Sequence, residues 1–109
     1  MEWNQLNSPE QLNAIVSESE NEKIVIFKHS TRCSISSMAL NRLERSWEKD
    51  VALKPYYLDL IANRGISNDI ASRFGVEHAS PQVLVIENGQ CVYHTSHMGI
   101  NFQELKDLV

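Results

Sequence analysis

The sequence predicts an α/β fold, with a central mixed β-sheet flanked by α-helices. Three observations predict it. Between Ser8 and Gly75, strand-like apolar runs alternate with amphipathic helical segments, the order that builds a sheet covered by helices. The runs Ile24-Val25-Ile26-Phe27 and Val83-Leu84-Val85-Ile86 are continuously apolar, as in strands buried on both faces. Asn88-Gly89 then separates Val83–Ile86 from Cys91-Val92-Tyr93-His94. That is a hairpin signal, because both turn residues tolerate positive φ.

Each element has its own local reason. Trp3 to Leu6 reads as a short edge strand. Ser8 is an N-cap, Pro9 suits the first helical position, and Gln11 completes a capping box. Leu12, Ile15 and Val16 then share one helix face, and the polar stretch Ser17–Lys23 closes the element. After the strand Ile24–Phe27, a helix is predicted from Ser34 to about Lys49. There Ile35, Ala39, Leu43 and Trp47 recur at four-residue spacing, with Arg42, Glu44, Arg45 and Glu48 on other faces. Tyr56–Leu60 is the next strand, and Ile66–Phe74 a shorter helix stopped by Gly75. The hairpin follows Pro81, and Phe102–Val109 forms a last helix burying Phe102 and Leu105, with Leu108 a further candidate.

Size and charge narrow the function classes. The chain has 109 residues, 42% of them hydrophobic, and is expected to form one domain over residues 1–109. A domain of this size buries roughly two-thirds of the surface its unfolded chain exposes, enough to fold without staples. A net charge of -4 with no Lys/Arg-rich stretch argues against nucleic acid as a partner. The longest apolar runs are strand-sized, far short of the roughly 20 residues a spanning helix needs, so no membrane partner is expected. The N-terminal Met1-Glu2-Trp3-Asn4-Gln5 lacks the basic and apolar regions of a secretory signal. With two cysteines, the expectation is a cytoplasmic location, where thiols stay reduced.

The segment Lys28-His29-Ser30-Thr31-Arg32-Cys33-Ser34-Ile35-Ser36 carries the chemistry. Cys33 falls at a strand-to-helix junction, where backbone N–H groups lack intrahelical partners and the helix dipole is positive. Both favour the thiolate, which is the nucleophile, and Arg32 adds a positive charge beside it. Ser36 fills the partner position of a C-x-x-C motif, so one reactive thiol is on offer. Ser36 is open between a hydrogen bond to the Cys33 sulfur and an ordinary helix residue. Thr31 and Arg32 are open between contacts to a substrate's acidic groups and a solvated loop. Cys91, just past the Asn88-Gly89 turn, reads as an inert strand cysteine; a resolving role toward Cys33 would need the two ends of the hairpin to meet. His29 reads as a strand-end histidine facing solvent, the other reading being a ring turned into the site to lower the Cys33 pKa, and His94 and His97 alone make no metal site.

The element order, with Cys33 after the second strand, resembles the thioredoxin fold. The features that line up are Ile24–Phe27 running into Cys33, the strand ending Tyr57-Leu58-Asp59, the helix end Ala71-Ser72-Arg73-Phe74-Gly75-Val76, and Ser80-Pro81-Gln82 before the hairpin. The resemblance implies that Pro81 is cis and faces the active cysteine, with the Ser80 backbone turned to the substrate. Spacing alone leaves a trans proline at a strand start equally open. Within that superfamily, Phe27 to Ser36 together with Ser80-Pro81-Gln82 and Ser96-His97 is similar to the YtxJ family of monothiol bacilliredoxins. The family's tripeptide begins Cys-Pro, whereas Ser34 follows Cys33 here.

The resemblance implies a monothiol thiol–disulfide oxidoreductase with Cys33 as nucleophile. Its partners would be S-thiolated client proteins, and a low-molecular-weight thiol such as bacillithiol would be co-substrate. No bound cofactor or metal is expected. Substrate contacts are expected from Thr31, Arg32, Ser80 and Pro81. Two other readings compete. One is an iron–sulfur carrier of the monothiol glutaredoxin kind, although Ser34 and Ile35 replace its Gly and Phe. The other is an interaction module that kept the fold without turnover.

Overall fold

A computed structural model describes every residue from Met1 to Val109. Five strands form one sheet in the order β1-β3-β2-β4-β5. They are β1 (Asn4–Gln5), β2 (Lys23–His29), β3 (Leu53–Asp59), β4 (Gln82–Glu87) and β5 (Gln90–Ser96). β1, β2 and β3 run parallel, β4 is antiparallel to β2, and β5 is antiparallel to β4. The mixed α/β sheet expected from the sequence is therefore the one found.

Helices cover both faces. α1 (Pro9–Glu18) and α3 (Arg64–Phe74) lie on one face, and α2 (Ser34–Ser46) and α4 (Phe102–Lys106) on the other. Strand alternation assigns each β2 residue to a side. Ile24 and Ile26 pack with Leu12, Ile15, Ile66 and Ile70, whereas Val25 and Phe27 pack with Ala39, Leu43, Phe102 and Leu105. All four of these β2 residues are completely buried, as the continuous apolar run requires.

Local rules account for the ends of elements. Ser8 caps α1 through the Ser8–Gln11 capping box, with Pro9 in the first turn. Gly75 ends α3 in the left-handed region at φ +66°, its N–H returning to the Ala71 carbonyl. Asn88 and Gly89 take φ of +52° and +75° in the hairpin turn.

Some boundaries differ from the sequence expectation. α2 stops at Ser46 because Trp47 turns extended (ψ 130°) to stack against Trp3 and Phe102. The buried face of α2 is Ser36, Ala39 and Leu43, so Ile35 falls off it and is 52% exposed. Val16 is likewise only half-buried. β3 begins at Leu53, earlier than expected, since pairing with β2 carries it through Lys54 and Pro55. α3 begins at Arg64, and α4 ends at Lys106. A 3-10 turn, His97–Gly99, follows β5; no sequence signal marks it. No helix is long and apolar enough to cross a membrane.

Candidate active site

Strand polarity gathers the candidate residues at one end of the sheet. β2 leads toward Cys33 at its C-terminal end, and the antiparallel β4 starts beside it, with Lys28 paired to Gln82. Pro81 immediately precedes that pair. The Ser80–Pro81 peptide bond is cis, as the resemblance implies.

Cys33 is the N-cap of α2 in extended conformation, φ -111° and ψ 119°, and its side chain makes no capping bond. Its N–H donates to the Ser30 carbonyl at 3.1 Å, and its carbonyl accepts from Ser37 N–H at 3.0 Å. The backbone is thus fixed while the sulfur stays free and partly exposed. Thr31 and Arg32 are exposed in the same turn.

Ser36 does not make the contact to the Cys33 sulfur that its position allows. It is completely buried; its Oγ lies 2.7 Å from His29 Nδ1 and accepts from Ser30 N–H at 3.1 Å. His29 corrects the expectation of a solvent-facing strand end. It is 5% exposed and packs between the rings of Phe27 and Tyr57. The reason is alternation: His29 follows Val25 and Phe27 onto the α2 face, beneath the first helical turn. Burial lowers its pKa, opposed by the charges of Asp59 and Glu44.

The other β2 face carries Lys28, which the sequence reading passed over. It continues the series Ile24, Ile26 and is completely buried. Its Nζ donates to the Ser67 carbonyl at 3.1 Å and lies 3.3 Å from His78 Nδ1. Ser67 Oγ is also 3.3 Å from that nitrogen. Burial brings Lys28 down to about 8. His78 is lowered by burial and by the charges of Lys28 and Arg64. The available signal was a lysine standing at an inward position of a strand otherwise apolar on that face.

These bonds shape the segment that carries Ser80. Buried Gln82 donates from Nε2 to the Glu77 carbonyl at 3.0 Å and accepts from Ala79 N–H at 3.4 Å. His97 N–H donates to the Pro81 carbonyl at 3.1 Å. Pro81 is buried, and Ser80 Oγ is a buried hydroxyl with no partner. Beyond Cys33 lies an apolar groove of about 170 Å³ lined by Ile35, Met38, Ala39, Arg42, His97 and Met98. Met38 and Met98 are 65% and 82% exposed.

Cys91 stands apart. It pairs with Ile86 in β5, four residues along β4 from Gln82, or roughly 13 Å, well beyond disulfide reach of the site end. Its thiol donates to the Tyr93 carbonyl, and burial pushes its pKa up. No three His, Cys, Asp or Glu side chains converge as a metal site.

A free cysteine at a helix N-cap position, at the same end of this mixed sheet as a cis-proline loop, defines a thiol protein of the thioredoxin fold. Among solved structures, the chain is similar to a candidate oxidoreductase with a thioredoxin fold. The TM-score is 0.82 at 30% identity, over 94% of this chain and 89% of that one. It is also similar to thioredoxin from Trypanosoma brucei brucei, with TM-score 0.76, 19% identity, and 98% and 90% coverage. Malassezia sympodialis thioredoxin gives TM-score 0.76 at 16% identity, with 98% and 87% coverage. The family model of the monothiol bacilliredoxin BrxC matches residues 4–105. The chain belongs to that monothiol bacilliredoxin family, and its chemistry is thiol redox chemistry.

Proposed function

We propose that this protein removes a low-molecular-weight thiol, bacillithiol being the expected one, from client proteins by exchange at Cys33. The Cys33 thiolate attacks the small thiol's sulfur in the client's mixed disulfide. The client leaves as a thiolate, and Cys33 takes the small thiol as a new disulfide. A second small-thiol thiolate then attacks the adduct, releasing a symmetrical small-molecule disulfide and the Cys33 thiolate. Both steps conserve electrons and need no cofactor or metal.

The carrying observation is one of isolation. The Cys33 sulfur is free and partly exposed at the α2 N-cap, position 36 holds a buried serine, and Cys91 lies at the far end of the hairpin. A chain with no resolving thiol in reach can accept an adduct but cannot expel it alone. Thr31, Arg32, Ser80 and Pro81 are the proposed substrate contacts, and the groove beside Ile35 and Met98 takes the flanking client surface. The reading places the protein in a reducing compartment such as the cytoplasm.

Intact-mass spectrometry tests it. Reduced protein is mixed with a bacillithiol-modified client and, in parallel, a glutathione-modified one. The expected result is one adduct on Cys33 and a freed client, faster for the preferred thiol. Cys33→Ser abolishes transfer, and Cys91→Ser retains most of it. No adduct with either client, or the opposite mutant pattern, overturns the proposal.

A further inference from the structure

We propose that His29 is a positioning residue for Cys33, acting through Ser36: it fixes the Ser30–Cys33 turn, and whether its Nδ1 carries a proton decides where the Ser36 hydroxyl proton points. The inference rests on the reading of Cys33 as nucleophile.

Hydrogen-bond accounting carries the first half. Ser36 Oγ has one proton to donate and two lone pairs. Ser30 N–H is an obligate donor, so Ser36 accepts from it at 3.1 Å. Ser30 in turn accepts from Cys33 N–H through its carbonyl. His29, Ser36, Ser30 and Cys33 therefore form one chain of bonds that sets the N-cap backbone. The catalytic-position serine holds the loop and leaves the sulfur alone.

The second half follows from the ring. When His29 is neutral with its proton on Nε2, Nδ1 accepts, and the only Ser36 proton is spent on the 2.7 Å contact. When Nδ1 carries a proton, it donates to Ser36 instead. Ser36 then accepts two bonds, and its own proton no longer goes to His29. That change reaches Cys33 through the Ser30–Cys33 turn, whose anchor on Ser36 it alters. His29 Nε2 has no protein partner, yet Ser80 Oγ alone is a buried unpartnered atom, so a proton can reach Nε2 from solvent. The charged and titratable groups facing the ring are Asp59 and Tyr57 from β3 and Glu44 from α2. Glu44 is itself held by Trp3 Nε1–H at 2.8 Å.

The test is the pH profile of Cys33 alkylation by iodoacetamide, with Cys91→Ser as background so that Cys33 is the sole thiol. The expected parent profile shows two ionisations, one of the thiol and one of His29. His29→Gln and Ser36→Ala each leave a single ionisation, and Ser36→Ala also slows alkylation about two- to tenfold, the loss expected for one hydrogen bond. A general packing defect changes rate without removing an ionisation. Identical profile shapes in parent and variants overturn the proposal. Should the variants fail to fold, NMR titration of His29 in the parent decides: its midpoint moves when Cys33 is alkylated, and an unmoved midpoint overturns the proposal. If folded parent protein is not alkylated at all, the reading of Cys33 as nucleophile falls instead.

Discussion

Replacing Lys28 with methionine is expected to stabilise the protein at neutral pH, an advantage that disappears and then reverses in alkali. Lys28 is completely buried, and no carboxylate bonds it: its bonds go to a backbone carbonyl and a histidine nitrogen. A lysine titrating at about 8 instead of 10.5 carries up to about 3 kcal/mol of desolvation cost while charged. Relaxation of the polar groups around the ammonium reduces that to about 1.5–2 kcal/mol. Methionine keeps the length and apolar stem at little packing cost. The lost bonds cost roughly 0.5–1 kcal/mol together, because the Ser67 carbonyl keeps its helical donor and His78 turns to water. The net gain is about 1 kcal/mol, or roughly 4 °C in Tm for a chain of this size.

The sign with pH follows from linkage. Above 10.5 Lys28 is neutral in both states and costs nothing. As pH falls from 10.5 toward 8, the unfolded chain binds the proton before the folded one, so stability is lost over that window. Below 8 both states are protonated and the full cost stands. Urea denaturation of wild type and Lys28→Met at pH 7, 8, 9 and 10, under reductant, measures the gap. The gap should close progressively above pH 8. Destabilisation by more than about 1 kcal/mol at pH 7, or a gap constant from pH 7 to 10, refutes the reasoning.

Three further outcomes are expected from denaturation curves. Leu43→Ala opens a cavity beneath α2 at a residue 1% exposed, and should cost about 2–5 kcal/mol. Gly75→Ala meets no neighbouring atom, but it forces an L side chain to φ +66°, so about 1 kcal/mol is lost to backbone strain alone. Ser8→Ala removes the α1 capping box and should cost about 1 kcal/mol, with little effect on Cys33 alkylation because α1 lies on the other face of the sheet.

The fold was largely legible because its signals are local. Continuous β-branched runs, the Ser8–Gln11 box and Asn88-Gly89 each specify their element without help from distant residues. Helix ends were less so: Trp47 leaves α2 for an aromatic cluster with Trp3 and Phe102, a tertiary contact no periodicity announces. Cys33 and Pro81 stood out by motif and resemblance. Lys28, His29, Ser67 and Gln82 did not, since polar residues beside a strand end read as solvent-facing until the partner elements are in place.

The most economical account of the site treats β2 as its axis. Neighbouring residues of a strand point to opposite faces, so Lys28 and His29 send two buried polar groups to the two sides of one sheet. His29 reaches Ser36 and, through it, the turn that presents Cys33. Lys28 reaches Ser67 in α3 and His78 in the stretch leading to Ser80 and Pro81. Each half of the candidate site is therefore tied to the same strand end by one side chain. An apolar pair at 28 and 29 would strengthen the core and leave both halves without that tie. The two polar groups are thus poor choices for stability alone; what they supply is a common anchor at the end of β2 for the Cys33 turn and for the stretch before Pro81.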